Sequence, residues 1–249
     1  MKDIAVDISD VSLIYHERSG ETPAVKRLSM QVKRGEFVSV VGPSGCGKTS
    51  VLSLIAGIIE PSSGEIRVAG AKPGYMLQRD HLLDWRNIEG NILLGLEVQN
   101  ALNADTRRCA LQLLDTYGLS AFAKHYPRQL SGGMRQKVAL IRTLATSPDV
   151  LLLDEPFSSL DYQTRLRLSD EVYDIIKKEN KTAILVTHDI AEAISMSDRL
   201  LVFTRRPASV KAEHMIALSR GDTPIARRNA PEFKDYFDTI WKELDVGEG

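Results

Sequence analysis

One eight-residue segment constrains the fold of this chain more than any other. It consists of Gly42, Pro43, Ser44, Gly45, Cys46, Gly47, Lys48 and Thr49. The segment matches the phosphate-binding pattern of Gly, four residues, Gly, Lys and Ser or Thr. A β-rich run at residues 36–41 precedes it and a helix-like segment at residues 49–57 follows it, which is the strand–loop–helix context that the pattern requires. The sequence therefore predicts an α/β domain with a phosphate-binding loop.

The residue types of this loop suit a nucleoside triphosphate. Glycines let backbone N–H groups close around phosphate oxygens, and the N-terminus of the following helix adds positive potential. Lys48 is expected to reach the outer phosphates, and Thr49 offers its hydroxyl to Mg²⁺. The alternative, a glycine turn beside an ordinary helix start, is disfavoured because every fixed position of the pattern is filled.

Composition narrows the class of protein further. The 249 residues are 43% hydrophobic and 26% charged, which is the ordinary range of globular domains. A net charge of −1 lacks the basic excess of a nucleic-acid-binding protein, and two cysteines are too few for a disulfide framework. The longest apolar stretch, residues 51–59, is shorter than the roughly 20 residues of a spanning helix. We expect no nucleic-acid partner, and membrane association only through a partner or a surface.

The order of apolar patterns predicts the organisation of the chain. Residues 4–8 and 11–15 alternate like short strands of an antiparallel layer, with a turn or loop at residues 16–22. Apolar strands at residues 150–153 and 183–186, separated by a helix at 163–178, indicate a buried parallel sheet.

We interpret residues 1–249 as a single domain. Apolar residues at three- and four-residue spacings predict a helical insert at approximately residues 87–147. A C-terminal extension at residues 205–249 ends in an amphipathic helix at 231–244, for which core packing is the favoured interpretation. We interpret the pairs Arg205–Arg206 and Arg227–Arg228 as solvated faces and assign them no function.

Two further segments carry chemistry. Asp154 and Glu155 follow the apolar strand at its C-terminal end, where ligands bind in open α/β sheets. Asp154 is placed for Mg²⁺, and Glu155 could accept a proton from a water attacking the γ-phosphate. Ser131, Gly132 and Gly133 precede a helix and would make a second anion site, or merely a helix cap. One chain then carries two half-sites for phosphate, which two copies could complete for each other.

With these motifs in this order, the chain resembles the ATP-binding subunits of ABC transporters from Ile4 to about Thr204. The resemblance implies a P-loop NTPase (RecA-like) core with a parallel sheet, an N-terminal antiparallel β subdomain and an inserted α-helical subdomain. It also implies four further site residues. Tyr15 stacks on adenine, Gln78 lies near Mg²⁺ and the attacking water, Asp161 ends the dimer-crossing loop 159–161, and His188 contacts the γ-phosphate.

The resemblance further implies the assembly. It is a head-to-tail homodimer with two ATP molecules at its interface, each between one copy's phosphate loop and the other copy's Ser131–Gly133 segment. Two transmembrane permease subunits would contact the helical insert near residues 78–86. An extracytoplasmic substrate-binding protein would join through the complex. The chain itself would lie peripherally on the cytoplasmic side of the membrane.

Residues 77–85 and the C-terminal helix look like those of the nitrate, sulfonate, taurine and bicarbonate importer group, although Asp84 stands where that group commonly has Pro. Alternatives remain open: a non-transport ABC ATPase of a cytosolic or cell-division complex, a catalytically silent nucleotide-binding scaffold, and, from the phosphate loop alone, a kinase.

Overall fold

Two β-sheets organise the chain in the computed structural model, which describes residues 3–17, 20–70 and 72–245. The strands are β1 (Ile4–Glu17), β2 (Gly20–Lys33), β3 (Phe37–Val41), β4 (Ser63–Val68), β5 (Gly74–Met76), β6 (Val150–Asp154), β7 (Thr182–Val186), β8 (Arg199–Phe203) and β9 (Val210–Met215). The α-helices are α1 (Lys48–Ile55), α2 (Ile88–Val98), α3 (Ala104–Thr116), α4 (Gly132–Leu144), α5 (Tyr162–Lys178), α6 (Ile190–Met196), α7 (Pro224–Arg228) and α8 (Phe233–Asp245). Residues 18 and 19 of the predicted turn and residues 246–249 of the predicted C-terminal extension lie outside the described residues.

The larger sheet positions the site. Its strand order is β5-β6-β7-β3-β8-β9, and all neighbouring pairs are parallel except β8 and β9. Strands β3, β6, β7 and β8 are buried at every residue. Helices cover one face of the sheet, and helix α1 together with the smaller sheet covers the other. The predicted α/β class with a buried parallel sheet is therefore confirmed, and the antiparallel edge strand β9 is an addition that the sequence did not indicate.

The smaller sheet has the order β2-β1-β4 and is antiparallel throughout. The sequence predicted two short strands and a loop at residues 16–22, but β1 is continuous to Glu17 and β2 already begins at Gly20. The register shifts between Ile8 and Val11, and Asp10 has φ of 50°. A bulge of this kind absorbs the interrupted alternation without ending the strand, so the two predicted strands are one.

Side-chain caps set the starts of most long helices. Asn87, Asn103, Ser131, Asp161 and Asp189 each accept a backbone N–H of the first turn of α2, α3, α4, α5 and α6. Helix α5 therefore starts at Tyr162, one residue before the predicted start. Helix α8 starts at Phe233 rather than at the predicted residue 231, because Phe233 N–H bonds the carbonyl of Ala230 and closes a turn there.

The remaining predicted bounds shift by one or two residues. Helix α1 runs from Lys48 to Ile55 rather than over residues 49–57. Helices α2, α3 and α4 lie within residues 87–147 and pack against one another and the larger sheet through one apolar cluster. Helix α8 packs on α6 and β8 through a separate cluster that contains Ile190, Ile194 and Ile240.

Candidate functional site

The site forms where strands of the larger sheet end. The phosphate loop follows β3, Gln78 follows β5, Asp154 and Glu155 close β6, and His188 follows β7. These four strands are consecutive neighbours in the sheet and run parallel, so their carboxyl ends share one edge. Ligands bind at this edge in open α/β sheets.

The phosphate loop is held in shape by Lys48 and Gly47. The Lys48 ammonium is buried and donates to the carbonyl oxygens of Gly42 at 2.7 Å and Pro43 at 3.0 Å. Gly47 has φ of 119°, and a Cβ added to it would lie 2.6 Å from the carbonyl oxygen of Ala24. Both the left-handed backbone and the close approach exclude a side chain at this position.

Within the loop, the predicted ligand-binding residues have different exposures. Ser44, Gly45 and Thr49 are exposed, whereas the Cys46 side chain is buried, which raises the pKa of its thiol. Pro43 has no N–H and therefore offers only its carbonyl, which Lys48 already uses. Cys46 and Pro43 can thus contribute backbone atoms and the shape of the phosphate loop. Neither can contact a ligand through its side chain as Lys48 can.

The Asp154 carboxylate connects the loop to the sheet. Its Oδ1 accepts from the Thr49 hydroxyl at 3.2 Å and its Oδ2 from the Tyr75 hydroxyl at 3.3 Å. Burial raises the pKa of Asp154, and burial followed by the Asp154 charge raises the pKa of Tyr75 to about 12. The pair of oxygen donors from Thr49 and Asp154 is of the kind that Mg²⁺ prefers.

Glu155 joins two other predicted residues. Its Oε2 accepts from Gln78 Nε2 at 3.1 Å and lies 3.1 Å from His188 Nδ1. The backbone of Glu155 has φ of 44°, an uncommon conformation for a residue with a side chain, and its N–H bonds the carbonyl of Val186 on β7. Such outliers concentrate at functional sites.

A cavity of about 440 Å³ adjoins these residues. Its lining consists of Ala24, Ser44, Gly45, Gly47, Lys48, Thr49, Ser50, Gln78, Glu155 and Arg206. Tyr15 stands beside it: the ring is partly buried and the hydroxyl lies 3.1 Å from Ser50 Oγ, on the first turn of α1. Among the residues described, Tyr15 does not itself line the cavity.

Ser131, Gly132, Gly133 and Asp161 stand apart from this cavity in the described part of the chain. Ser131 Oγ accepts from Met134 N–H, and Asp161 Oδ1 accepts from Thr164 N–H, an interaction that lowers the pKa of Asp161. Ser131 and Asp161 are exposed helix caps. One chain therefore presents the two predicted half-sites at separate places.

Three residues at the site were missed by the sequence analysis. Tyr75 bonds Asp154, Ser50 bonds Tyr15, and Arg206 lines the cavity while its Nε donates to the carbonyl of Pro23 at 3.2 Å. Arg206 remains exposed, as predicted, but it faces the loop. The signal available for Ser50 was its place directly after the motif; Tyr75 and Arg206 had none.

The interpretation of Arg227 as a solvated residue is wrong. Its side chain is buried and donates to the Tyr173 hydroxyl at 3.2 Å and to the Ser197 carbonyl at 2.6 Å. Helix α7 docks this face on α5 and α6. Arg228 is partly buried as well, with its Nε and Nη2 shielded from solvent, so neither arginine of this pair forms a solvated face.

The described residues also bear on metal binding and on membrane insertion. Over residues 3–17, 20–70 and 72–245, no three His, Cys, Asp or Glu side chains cluster as a metal site would require. A cation at Thr49 and Asp154 would therefore need further oxygen ligands, which phosphate and water supply for Mg²⁺. No helix within these described ranges has the length and apolar character needed to span a bilayer.

The family model described as ABC transporter matches residues 25–158, and a model described as an AAA domain matches residues 123–195. The chain is 46% identical over 246 residues to an uncharacterized ABC transporter ATP-binding protein, YtlC, of Bacillus subtilis, which covers 96% of this chain and 95% of that protein. It is 41% identical over 252 residues to the taurine import ATP-binding protein TauB of Yersinia pestis, with 95% and 98% covered. It is 37% identical over 247 residues to the nitrate import ATP-binding protein NrtD of Synechocystis, with 94% and 93% covered.

Solved structures with a similar fold include two dimers of the ATP-binding cassette MJ0796. A post-hydrolysis dimer bound to ADP and Pi has a TM-score of 0.73 at 29% identity, covering 85% of this chain and 99% of that one. A second dimeric structure, of what is described as a bacterial ABC transporter cassette, has a TM-score of 0.74 at the same 29% identity and coverage of 85% and 99%.

Proposed function

Because this chain belongs to the ABC transporter family and is an ATPase, we propose that it powers a bacterial importer from the cytoplasmic side of the membrane. The observation that carries the proposal is the convergence of four strand ends on one cavity. Lys48, Thr49, Gln78 and Glu155 line that cavity, Asp154 bonds Thr49, and His188 contacts Glu155.

The geometry suits hydrolysis of the bond between the β- and γ-phosphates. Lys48 would leave its loop carbonyls to neutralise charge on the outer phosphates. Glu155 would orient a water and take its proton as the water oxygen bonds to the γ-phosphorus and the bond to the β-phosphate oxygen breaks. Gln78 and His188, both in contact with the Glu155 carboxylate, would position it and the γ-phosphate.

Mg²⁺ fits the same site. Thr49 Oγ1 and Asp154 Oδ1 are oxygen donors 3.2 Å apart at the loop, and Gln78 can add an amide oxygen. When bound, Mg²⁺ would neutralise negative charge on the phosphates. Protonation of Asp154 would weaken this site. Burial raises the pKa of the Asp154 carboxyl, whereas the hydrogen bonds from Thr49 and Tyr75 lower it and so favour the ionised form.

We propose a head-to-tail homodimer as the hydrolysing form. Ser131, Gly132 and Gly133 lie outside the cavity, so on one chain the second half-site has no triphosphate to contact. The similar cassettes of solved structure are dimeric. In such a dimer each Ser131–Gly133 segment would close over the partner's ATP, Tyr15 would stack on its own chain's adenine, and Asp161 would lie at the crossing loops.

The transport partners would be two permease subunits and, through them, an extracytoplasmic substrate-binding protein. Leu77 and Trp85 are exposed large apolar side chains that flank the segment following β5, and Trp85 is 75% exposed. That segment is the surface we assign to the permease. The transported solute would be a small compound such as nitrate, sulfonate, taurine or bicarbonate, a range supported by the similarity to NrtD and TauB.

The test is ATP hydrolysis by the chain with and without its co-purified permease. Glu155→Gln should retain ATP binding and abolish turnover, whereas Glu60→Gln, which changes an exposed carboxylate outside the cavity, should behave as the parent chain. Unchanged turnover in Glu155→Gln would contradict the role of Glu155. Co-purification with a cytosolic complex and no membrane protein would favour the alternative, a non-transport ABC ATPase.

A further inference from the structure

The first turn of α5 lies between the two half-sites of one chain. On one side it meets the start of α4: a Cβ added to Gly133 would lie 2.9 Å from Thr164 Cγ2, and one added to Gly132 would lie 3.4 Å from Leu160 Cδ2. Leu160 is buried in the same apolar cluster as the core of α4. Movement of the Ser131–Gly133 segment therefore has little room unless this turn moves with it.

On its other side the same turn meets the loop that carries His188. Arg165 donates through one terminal nitrogen to the Leu160 carbonyl at 3.2 Å and through the other to Asp189 Oδ2 at 3.3 Å. The two side chains are 22% and 25% exposed. Because both groups are largely shielded from solvent, their charges are screened less than those of a surface ion pair.

Asp189 connects Arg165 to the residues that flank and follow His188. Its Oδ1 accepts the Glu192 N–H at 3.0 Å and caps α6, while its own N–H donates to Thr187 Oγ1 at 3.1 Å. Asp189, the residue directly after His188, is thus bonded to Thr187, the residue directly before it, and His188 itself reaches Glu155. A shift of Asp189 consequently changes where the imidazole stands relative to Glu155.

We propose that Arg165 is a positioning residue that couples the two half-sites of one subunit, linking the Ser131–Gly133 segment to His188 through the first turn of α5 and Asp189. The proposal rests on the proposed function, because it requires the partner's ATP to engage Ser131–Gly133. Its consequence is cooperativity: ATP bound at one interface site repositions His188 at the other, so the two sites hydrolyse ATP in concert.

The experiment measures ATPase rate against ATP concentration for the full-length chain, together with equilibrium ATP binding. The variants are Arg165→Gln, Asp189→Asn and both together. Asparagine still caps α6 but removes the charge that faces Arg165. The matched control is Lys177→Gln, on the same helix, which breaks the 2.9 Å Lys177–Asp198 pair at a distance from both loops.

We expect a Hill coefficient that falls toward 1 in both single variants. The maximal rate should fall about 5- to 10-fold, a factor comparable to the smaller allosteric couplings measured for binding, while ATP affinity stays within about 2-fold. The double variant should be no worse than either single one, because both remove the same contact. Lys177→Gln should keep the parental values.

An unchanged Hill coefficient in a folded Arg165→Gln or Asp189→Asn chain overturns the proposal, as does an equal loss in Lys177→Gln. If Arg165→Gln does not fold, Asp189→Asn decides alone. A parent chain that hydrolyses ATP without cooperativity also overturns the coupling while leaving the proposed function intact. Loss of turnover in Glu155→Gln tests that function separately.

Discussion

His188 Nδ1 lies 3.1 Å from Glu155 Oε2, and this contact joins side chains that follow two neighbouring strands, β7 and β6. The same oxygen accepts from Gln78 Nε2 at 3.1 Å. One carboxylate oxygen is therefore held by residues from two other strand ends, and the Glu155 side chain lines the cavity. These two contacts restrict the orientation of the carboxylate that a water in the cavity would meet.

Replacing His188 tests whether this contact serves the reaction. We expect His188→Ala to lower kcat about 100-fold, within the usual range for a residue that assists proton transfer, with little change in ATP affinity. The matched control is His16→Ala, because His16 also contacts a carboxylate, Glu21 at 3.3 Å, on an exposed hairpin. Equal losses in the two variants, measured by steady-state kinetics, would remove His188 from the mechanism.

Gly47 should be the least replaceable residue of the phosphate loop. Gly47→Ala forces a Cβ to 2.6 Å from the Ala24 carbonyl oxygen in a left-handed backbone, so we expect a loss of roughly 2–4 kcal/mol in the free energy of unfolding. Gly118→Ala is the control: φ is 71° and nothing lies within 4 Å of the added Cβ, so only about 1 kcal/mol of backbone strain applies. Urea unfolding of both variants measures the difference, and equal losses would contradict the steric argument.

Much of the site could be read from the sequence because its residues follow strands. The phosphate loop follows one predicted strand, and Asp154–Glu155 follow another. If these strands are parallel, their carboxyl ends lie at one edge of the sheet. In the structure β3, β6 and β7 are parallel. Contacts between side chains far apart in sequence could not be read in the same way. Tyr75 bonds Asp154 only because β5 pairs with β6. Strand β5 has three residues, too few for a pattern that would predict this pairing.

Element ends and surface assignments were less predictable for a related reason. The bulge at Asp10 preserves pairing across a break in the alternation of apolar and polar residues, whereas the break in the sequence predicts the end of a strand. Arg227 is buried because α7 docks on Tyr173 and Ser197, which lie on or beside α5 and α6. Both outcomes depend on tertiary partners that local sequence does not specify.

Arg206 should contribute to nucleotide binding, although its sequence context gave no reason to expect so. The side chain lines the cavity beside Lys48 and Ser50, whereas Arg205 lines a neighbouring cavity of about 330 Å³ with His188 and Trp241. In a Glu155→Gln background we expect Arg206→Ala to weaken ATP binding about 5-fold, the effect of one lost hydrogen bond, and Arg205→Ala to change it less. Equilibrium binding of ATP compares them, and a larger effect of Arg205→Ala would reverse the assignment.

Glu192 should make stability depend on pH. Its carboxyl is 3% exposed beneath the His188 loop, where burial raises its pKa to about 7, and it bonds the Thr187 hydroxyl. The charged groups that face it are Asp189, Arg165 from α5 and Arg228 from α7.

A carboxyl whose pKa is higher in the folded chain than in the unfolded chain stabilises the fold while it is protonated. This stabilisation is fully present below the unfolded pKa of 4.5 and is lost as pH rises through about 7. Between pH 5 and pH 8 we therefore expect Glu192 to remove roughly 2–3 kcal/mol from the free energy of unfolding. Glu192→Gln keeps the shape of the side chain but does not titrate. The free energy of unfolding of this variant should therefore lack the roughly 2–3 kcal/mol decrease between pH 5 and pH 8. Parallel pH profiles of the two chains in urea unfolding would show that Glu192 does not titrate in this range.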